Sequence, residues 1–331
     1  MPRAIQYTQF GGPEVLHLVE VPVAWPAPGE VRLRVKAVGL NPVDMKLRSG
    51  LIPLPDPDFP RGICSDMAGV VDAVGGQARY PDGSAIAVGD EVLGWSENRS
   101  LGEQLIVTAE QVTQKPPALP WPVAGALMTA GLTADAALTT LGIHADDVVL
   151  VSAAAGGVGL IYSQLALRRG AHVIGTAGEA NHAALTALGI IPVNYGPGLA
   201  DRVRAAIREH GLGQLTAVQD NAGRETIDAG LELGLAPERI CSIVDHQAVA
   251  QLGLASPGRY HRSAQKLGEL ARLCAAGGIQ LPIRATFSLD ETVEAFRLLE
   301  TRHGRGKIVI AIPKLAHSAL SSIDGADGFY W

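Results

Sequence analysis

The chain has 331 residues, 47% of them hydrophobic and 18% charged, and its formal net charge at pH 7 is −6. This length is too great for one compact core and predicts two domains. The acidic balance, without any basic stretch, argues against nucleic-acid and anionic-membrane binding, and no apolar run reaches transmembrane length.

The cysteines and the N-terminus indicate the compartment. Cys64, Cys241 and Cys274 are far apart and odd in number, so they predict neither a disulfide framework nor a CxxC zinc site. The N-terminus lacks the apolar region of a signal peptide. Together these features predict a reducing, cytoplasmic environment.

Residues 1–120 are predicted to form a β-rich domain. Residues 31–38 alternate apolar and polar side chains, as a half-exposed strand does. Further short strands between Gly, Pro and Asp turns are predicted at residues 69–74, 90–94 and 104–107. Strands this short and this often interrupted are typical of a small barrel or sandwich. The proline-rich residues 115–120 mark the edge of this domain.

From Val123 onward the pattern changes to alternating strands and helices. Residues 124–141 are an alanine-rich helical region with a break near Gly131. Strands are predicted from Val148 and then at residues 172–176, 190–195, 215–220 and 240–244. Helices are predicted between them at residues 160–169, 179–188, 199–210 and 223–234. This alternation predicts a doubly wound parallel sheet.

The C-terminal part of the chain is divided between the two domains. After a helix at about 262–276, residues 281–287 are predicted to be the last strand of the parallel sheet. A helix at 290–301 and a strand at 307–312 fit better with the first domain. The Ser-, Gly- and Asp-rich tail at 317–331 is expected to be poorly ordered.

Residues 148–159, VVLVSAAAGGVG, are the most informative stretch of the chain. Aliphatic residues, as in a strand buried on both faces, are followed by small residues and then by a helical stretch. This order is the context of a dinucleotide-binding fingerprint, with Ala154, Gly156 and Gly159 at the three glycine positions. Gly156 then lets the backbone approach a pyrophosphate at the helix N-terminus, and Gly159 lets the helix pack closely on the strand. An ordinary βα turn is the alternative.

Several short motifs occur in a specific order along nearly the whole chain. They are FGGPEVL at 10–16, GLNPVD at 39–44, VGDEV at 88–92, TAGLTA at 129–134, AAAGGVG at 153–159 and HGRGKIV at 303–309. In this set the chain resembles the medium-chain dehydrogenase/reductase superfamily, and within it the zinc-free NADPH:quinone oxidoreductase branch, the ζ-crystallin-like enzymes. The resemblance implies an α/β fold with a GroES-like β-rich catalytic domain from residues 1–122 and 288–331. A Rossmann domain, with a doubly wound parallel sheet, would then occupy residues 123–287.

The resemblance also implies that the chain binds no zinc. Zinc-dependent members carry Cys where Asn41 stands, His at Ser65 and Cys near Thr129. Amide and hydroxyl side chains are poor zinc ligands compared with thiolate and imidazole. The four-cysteine lobe of a structural zinc is absent as well. Cys64, beside one of these positions, is expected to be a small buried hydrophobe.

The end of the second Rossmann strand bears on the choice of cofactor. NAD-preferring sites usually place an acid there for the ribose 2′-hydroxyl, but this chain has the small Ala177. NADPH is therefore predicted, with NADH as the alternative; His182 is a candidate partner of the 2′-phosphate, while Glu179 weighs slightly against NADPH. The complete set of expected cofactor-binding residues is Asn41, Thr129, Ala154, Ala155, Gly156, Gly157, Val158, Gly159, Thr176, Ala177, Gly178, His182, Tyr195, Asn221, Ile243 and Lys307.

For the chemistry, the resemblance places Asn41, Asp44 and Thr129 beside the nicotinamide as the catalytic residues. Hydride transfer needs the reactive carbons held together and little else from the protein. No His/Asp or Tyr/Lys pair indicates a general acid. A quinone can take its proton from water, whereas an enone or enoyl thioester needs one at the α-carbon, so the missing acid slightly favours a quinone-like acceptor; the predicted acceptor is a quinone or another small α,β-unsaturated carbonyl. Candidate proton donors are Lys46, Tyr260 and His303.

Two other functions remain open at this point. The chain could be an enoyl-thioester reductase of the same superfamily, or a protein that binds NADPH with little turnover. The expected partners are a small-molecule quinone or enone and a second copy of the chain, with no nucleic acid and no membrane. An exposed edge strand needs to be covered or paired, and the strand at 281–287 is expected at an edge of the parallel sheet. The resemblance implies that two such edges pair across a two-fold axis, which gives an isologous homodimer.

Overall fold

The computed structural model describes residues 1–53, 58–258, 262–301 and 304–312. The predicted tail at 317–331 and two of the candidate proton donors, Tyr260 and His303, lie outside these residues. Within them, no helix is both long and apolar enough to cross a membrane.

The described residues form strands in both halves of the chain. In order they are β1 (Arg3–Gln6), β2 (His17–Glu20), β3 (Glu30–Gly39), β4 (Asp66–Val74), β5 (Glu91–Trp95), β6 (Gln104–Thr108), β7 (Val112–Gln114), β8 (Val148–Val151), β9 (His172–Thr176), β10 (Ile191–Val193), β11 (Ala217–Asp220), β12 (Ile240–Ser242), β13 (Ile283–Phe287) and β14 (Lys307–Ala311). The α-helices are α1 (Pro42–Arg48), α2 (Trp121–Ala126), α3 (Met128–Thr140), α4 (Gly157–Arg168), α5 (His182–Thr186), α6 (Leu199–Glu209), α7 (Arg224–Glu232), α8 (His246–Leu252), α9 (Ala264–Ala275) and α10 (Thr292–Glu300).

The middle of the chain forms a five-stranded parallel sheet in the order β10-β9-β8-β11-β12. All four residues of β8 are buried, because apolar clusters pack on both faces of the sheet. The predicted doubly wound sheet is thus confirmed, although several strands are shorter than expected. The chain moves to β9 on one side of β8 and to β11 on the other. The carboxyl ends of β8 and β11 therefore form the switch point at which such sheets bind ligands.

The two ends of the described chain share a seven-stranded sheet in the order β13-β14-β3-β4-β5-β7, in which β6 also pairs with β3. Its strands are antiparallel except for β13 and β14, which are parallel. Its apolar residues form a core of their own with α10. The expected helix and strand at 290–312 therefore lie against the first part of the chain, while the domain division itself stays a prediction.

The placement of residues 281–287 in the parallel sheet was wrong. β13 pairs with β14, with Phe287 opposite Ile310, and so lies at the edge of the seven-stranded sheet. Alternate residues of β13 are exposed, a pattern that suits an edge strand and not a strand buried on both faces. The edge of the parallel sheet beyond β12 is extended instead by Ala255, which forms a β-bridge with Cys241.

The seven-stranded sheet and the helices that follow it pack at very short distances. A Cβ atom on Gly39 would lie 2.5 Å from the Cα of Ala126 in α2, and one on Gly125 would lie 2.5 Å from the carbonyl oxygen of Ala37. Only glycine permits this approach at both positions. The helical region breaks at Leu127, between α2 and α3, and not at the predicted Gly131. This contact fixes the end of β3, where the chain enters α1, against the start of α3.

Candidate active site

The turn between β8 and α4, which we call the fingerprint turn (residues 153–159), has the predicted strand–turn–helix form. Gly156 is the N-cap of α4, and its carbonyl oxygen accepts the first helical hydrogen bond, from Leu160, at 2.9 Å. The amides of Gly157, Val158 and Gly159 precede that bond, so they have no partner within the helix. Such a terminus favours an anion through these donors and through the helix dipole.

The two glycines of the turn differ in their surroundings. A Cβ on Gly159 would lie 2.4 Å from the carbonyl oxygen of Ala153 and within 3.1 Å of other backbone atoms. A Cβ on Gly156 would meet only that same oxygen, at 3.2 Å. Close packing of the turn on the helix therefore requires Gly159, whereas Gly156 keeps one side of the turn open.

Other predicted cofactor residues hold the fingerprint turn in place. The amide of Ala154 donates to the carbonyl oxygen of Thr176 at 3.0 Å, and that of Ala153 donates to the Thr176 hydroxyl at 3.2 Å. The carbonyl oxygen of Ala155 accepts from the amide of Gly306 at 2.9 Å. The turn is thus bound both to the end of β9 and to the residue before β14.

The end of β9 is small and lacks an acid, as predicted. Ala177 is buried, and its carbonyl oxygen lies 3.1 Å from Nε2 of His182. Because a carbonyl oxygen only accepts, Nε2 carries the hydrogen in this contact. Tyr195, after β10, is 57% exposed, and a Cβ on Gly178 would lie 4.0 Å from its ring. Ala177, Gly178, His182 and Tyr195 therefore form one corner at the carboxyl ends of β9 and β10.

Asn221 and Ile243 follow the ends of β11 and β12, beside the buried carboxylate of Asp220. This carboxylate accepts from the hydroxyls of Ser152 at 2.9 Å and Ser242 at 2.7 Å. The side-chain amide nitrogen of Asn221 donates to the carbonyl oxygen of Ser152 at 2.8 Å. The backbone amide of Ile243 donates to the backbone carbonyl oxygen of Asp220 at 3.1 Å. These bonds keep the carboxyl ends of three neighbouring strands together.

Beside the turn lies a polar cluster, formed by the buried residues Asn41, Asp44, Cys64, Asp66 and Lys307 and the half-buried Thr129. Asn41 is the N-cap of α1 and Lys307 opens β14. The ammonium of Lys307 donates to the carbonyl oxygen of Leu40 at 2.6 Å and to Oδ1 of Asn41. A Cβ on Gly157 would lie 2.9 Å from Cδ of Lys307. The lysine stem therefore connects the fingerprint turn with the cluster.

Asp66 supplies the charge that faces this lysine. Its Oδ2 lies 3.8 Å from Nζ of Lys307, and neither side chain is more than 5% exposed. Its Oδ1 accepts from the amide of Thr129 at 3.0 Å and from the Thr129 hydroxyl. Thr129 is in the first turn of α3, whose N-cap, Leu127, offers no side-chain oxygen. From β4, Asp66 thus caps the N-terminus of α3, a position at which a negative charge is favourable.

Asp44 lies under Asn41, and its Oδ2 accepts from the amide of Asn41 at 2.8 Å. Burial, together with the charge of Asp66, raises the pKa of Asp44 to about 7. Burial also raises the pKa of the Cys64 thiol well above its usual range, so the thiol is a buried hydrophobe as expected. Burial lowers the pKa of Lys307, while Asp66 and Asp44 oppose that shift. Asp44 thus caps α1, the helix in which it lies, and its bond to the backbone amide of Asn41 orients that residue.

The three positions at which zinc-dependent relatives place ligands are occupied by other interactions. Asn41 accepts from Lys307, and Thr129 donates to Asp66. The hydroxyl of Ser65 donates to Oδ1 of Asn98 at 3.0 Å. Among the residues described, no group of three or more His, Cys, Asp or Glu side chains is arranged to hold a metal ion.

Two families of known proteins match the chain. The alcohol dehydrogenase GroES-like domain matches residues 27–138, and the zinc-binding dehydrogenase family matches residues 201–310. A quinone oxidoreductase from Pseudomonas aeruginosa is 30% identical over 336 residues, which cover 94% of this chain and 99% of the relative. The chain belongs to the medium-chain dehydrogenase/reductase superfamily, in its quinone oxidoreductase branch. The resemblance seen in the sequence is confirmed.

Further relatives of this quinone-oxidoreductase-like reductase extend the comparison. A quinone oxidoreductase from Salmonella typhimurium is 36% identical over 70% of this chain and 69% of the relative. A spectinabilin polyketide synthase system protein from Streptomyces orinoci is 32% identical over 87% of this chain, which spans only 13% of that relative. One part of a much larger synthase therefore has the same kind of sequence.

Solved structures agree with the fold of the reductase. The Escherichia coli quinone oxidoreductase complexed with NADPH superposes with a TM-score of 0.78 at 28% identity, covering 93% of this chain and 99% of that one. An NAD-dependent alcohol dehydrogenase superposes with a TM-score of 0.80 at 28% identity, covering 94% and 100%. The predicted α/β fold with a GroES-like domain is confirmed.

The structure brings most of the predicted site residues together. The fingerprint turn, Thr176 to Gly178, Asn221 and Ile243 lie at the carboxyl edge of the parallel sheet, and Asn41, Asp44, Thr129 and Lys307 lie in the polar cluster. Lys46, on α1, is half-buried, and its carbonyl oxygen accepts from the hydroxyl of Ser49 at 3.3 Å. Asp66 was missed, although an acid that opens an apolar strand, directly after Ser65, was a signal for it.

Proposed function

We propose that this protein is a zinc-independent, NADPH-dependent reductase that transfers hydride to a quinone or to another small α,β-unsaturated carbonyl. The observation that carries the proposal is the contact between the fingerprint turn and the polar cluster. The Lys307 stem packs on Gly157, and Gly306 bonds to Ala155. An anion-binding helix terminus and the candidate catalytic residues Asn41 and Thr129 are therefore parts of one site.

The residues present fit a bound dinucleotide. Gly156 leaves the turn open, and the first amides of α4 are available to a pyrophosphate. Ala177 gives room for a 2′-phosphate and presents no carboxylate to repel it, which supports NADPH over NADH. The bound dihydronicotinamide supplies the hydride. Asn41 and Thr129 are proposed to orient the ring and the acceptor.

The acceptor completes the reaction without a protein acid. When the hydride bonds to an electron-poor carbon, the electron pair of the conjugated system moves to the carbonyl oxygen. With a quinone the product is an enolate, a tautomer of the hydroquinone monoanion. The ring carbon that received the hydride then loses a proton to water as the ring becomes aromatic, and the two oxygens take their protons from water. Since this anion is stable enough to wait for a proton, a site without a general acid suits quinone-like acceptors.

The zinc-independence proposal is supported by the donor set. Asn41 and Thr129 offer amide and hydroxyl groups that are already engaged with Lys307 and Asp66. Elemental analysis of purified protein is expected to find less than stoichiometric zinc, and a chelator is expected to leave turnover unchanged. One zinc per chain, with turnover lost on chelation, contradicts the proposal.

An enoyl-thioester reductase is the second candidate function. The similarity to part of a polyketide synthase system protein favours it, because polyketide chemistry is one role expected of enoyl-thioester reductases in this superfamily. This reaction needs a proton at the α-carbon of the product. Lys46 is the candidate donor within the described part of the chain, while Tyr260 and His303 stay predictions.

An acceptor panel separates these functions. Initial rates are measured with quinones, enones and a crotonyl thioester, each with NADPH and with NADH. We expect the highest kcat/KM for a quinone with NADPH. A preference for the thioester supports the second candidate. Tight NADPH binding with no turnover of any acceptor indicates a binding protein and contradicts both.

The cofactor preference has its own variant. Ala177→Asp places a carboxylate at the end of β9 and should repel the 2′-phosphate. We expect NADPH affinity to fall several-fold while NADH affinity holds or rises, as measured by fluorescence titration. Equal or tighter NADH binding by the unmodified protein contradicts the preference.

Assembly, domain division and location are proposed on narrower grounds. We propose a homodimer through the parallel-sheet edge beyond β12, where Ala255 lies, in place of residues 281–287.

The pairing of β13 with β14 supports a domain boundary near residue 282 in place of 287. Free thiols at all three cysteines suit a cytoplasmic location. A monomeric mass at micromolar concentration by light scattering contradicts the dimer.

A further inference from the structure

The ammonium group of Lys307 lies inside the polar cluster with only 5% of the residue exposed. The resemblance to the family placed Lys307 among the cofactor-binding residues. Its two hydrogen bonds, however, go to the carbonyl oxygen of Leu40 and to Oδ1 of Asn41. Both partners belong to the end of β3 and the start of α1, so the ammonium is directed at the candidate catalytic amide.

This contact fixes the orientation of the Asn41 carboxamide. An ammonium has three donors and no acceptor, so only Oδ1 of Asn41 can face it. The Nδ2 group must then point the other way, where one of its two hydrogens reaches towards the carbonyl oxygen of Gly39 at 3.5 Å. The second hydrogen remains for a group in the site. Without Lys307 the carboxamide is free to flip, so that Oδ1, an acceptor, faces the group in the site instead of Nδ2.

The charge of Lys307 also strengthens Asn41 as a hydrogen-bond donor. A cation on Oδ1 polarises the amide and makes its N–H groups stronger donors, since hydrogen bonds in a chain reinforce one another. Asp66, whose Oδ2 is 3.8 Å from Nζ, and Asp44 stabilise the cation. The cluster thus places an ammonium against Oδ1 of Asn41, with two carboxyl groups beside it that favour its charged form.

Resting on the proposed reductase function, we propose that Lys307 is a positioning residue for hydride transfer. Its ammonium holds the Asn41 carboxamide with Nδ2 towards the acceptor, so that Nδ2–H donates to the carbonyl oxygen as that oxygen gains charge. Asn41 touches the substrate; Lys307 acts only through Asn41. Such preorganised donors lower the barrier because they do not have to reorient during the reaction.

The test is a double-mutant cycle of Lys307→Met and Asn41→Ala, with NADPH and the best quinone of the panel. We expect Lys307→Met to lower kcat by about ten- to a hundredfold, with the dissociation constant for NADPH within about twofold of the unmodified protein. In the Asn41→Ala background, the same change should have almost no further effect on kcat. NADPH deuterated at the transferred position should show a larger isotope effect on kcat in Lys307→Met.

Two further variants separate positioning from stability. Lys115 is a second buried lysine, paired with Glu91 at 2.8 Å and packed over the ring of Trp121. Lys115→Met should lower the melting temperature without changing kcat. Lys307→Gln keeps an N–H donor without the charge, so its kcat should lie between those of Lys307→Met and the unmodified protein, and it provides the measurement if Lys307→Met does not fold.

Several results overturn this proposal. If Lys307→Met weakens NADPH binding and leaves kcat unchanged, Lys307 is a cofactor ligand. Independent effects of the two substitutions contradict action through Asn41, as does a Lys307→Gln kcat equal to that of the unmodified protein or no higher than that of Lys307→Met. If the unmodified protein turns over no acceptor, the proposed function fails, and the role of Lys307 fails with it.

Discussion

The fingerprint turn and the polar cluster lie side by side but are built in different ways. Residues 153–159 come from one short stretch, carry no ionisable side chain and present backbone amides. The cluster combines side chains from β4, α1, α3 and β14, which interact through an ion pair and hydrogen bonds. The turn is a local structure with an open face, whereas the cluster requires β14 and β4 to have paired with β3.

This difference predicts opposite responses to substitution. In the cluster, the loss of one side chain leaves a buried charge or polar group without its partner, which costs stability. In the turn, a substitution costs stability only where it meets backbone, and otherwise it affects only the ligand.

The largest effect is expected for Asp66→Ala. It removes the carboxylate facing the Lys307 ammonium and the cap of α3, and it should lower the free energy of unfolding by about 3–5 kcal/mol, as measured by urea denaturation. The double variant Asp66→Ala/Lys307→Met no longer buries an unpaired ammonium and should recover at least half of the loss. A double variant less stable than the single one shows that the pair does not control stability.

The pH dependence of the cluster is expected to come next in size. Folding raises the pKa of Asp44 from 3.8 to about 7, so between these pH values the folded chain holds a proton that the unfolded chain has lost. The contribution of Asp44 is fully present below pH 4 and is lost as the pH rises towards 7, at about 1.4 kcal/mol per pH unit. Asp44→Asn should lack this slope in denaturant titrations between pH 4.5 and 7. Parallel slopes for both proteins contradict it.

Within the turn, Gly159→Val should be the costlier substitution. Its Cβ would lie 2.4 Å from the carbonyl oxygen of Ala153, and the backbone must move to accept it. We expect a loss of roughly 1–3 kcal/mol, typical of overpacking, seen as a lower melting temperature together with weaker NADPH binding. An unchanged melting temperature contradicts the close packing at this position.

Gly156→Val is the matched variant at the open side of the same turn. Its extended backbone suits any residue, so the melting temperature should change little. The branched side chain should block the path of the pyrophosphate and weaken NADPH binding at least tenfold, or about 1.4 kcal/mol. If this variant binds NADPH as well as the unmodified protein does, the turn is not the nucleotide site.

The turn could be predicted from sequence because everything that forms it is local. A buried strand, small residues and a helix follow one another between Val148 and Arg168, and each leaves a periodic or compositional signal. Ala177 could be assigned for the same reason, since it directly follows β9. That β8 to β12 form one parallel sheet followed from the alternation of strands and helices, although their order in the sheet did not.

The cluster and the place of β13 could not be predicted in the same way. An apolar strand at 281–287 carries no signal for the sheet it joins, because pairing depends on strands elsewhere in the chain. The contact between Asn41 and Lys307 joins residues 266 positions apart, and nothing local to either residue indicates it. Lys307 was expected to bind the cofactor, and the structure shows its ammonium on Asn41.

The pairing of β14 with β3 also constrains the order in which the molecule folds. Gly39 lies opposite Val309, so the pairing of these two strands closes a loop of the chain that contains the entire parallel sheet. Closing so long a loop in an unstructured chain is slow and entropically costly. If the parallel sheet folds first, it brings the ends of that loop close together before they pair. In that order of folding, the proposed nucleotide-binding turn forms early, whereas the polar cluster is complete only after Lys307 has been synthesised and docked.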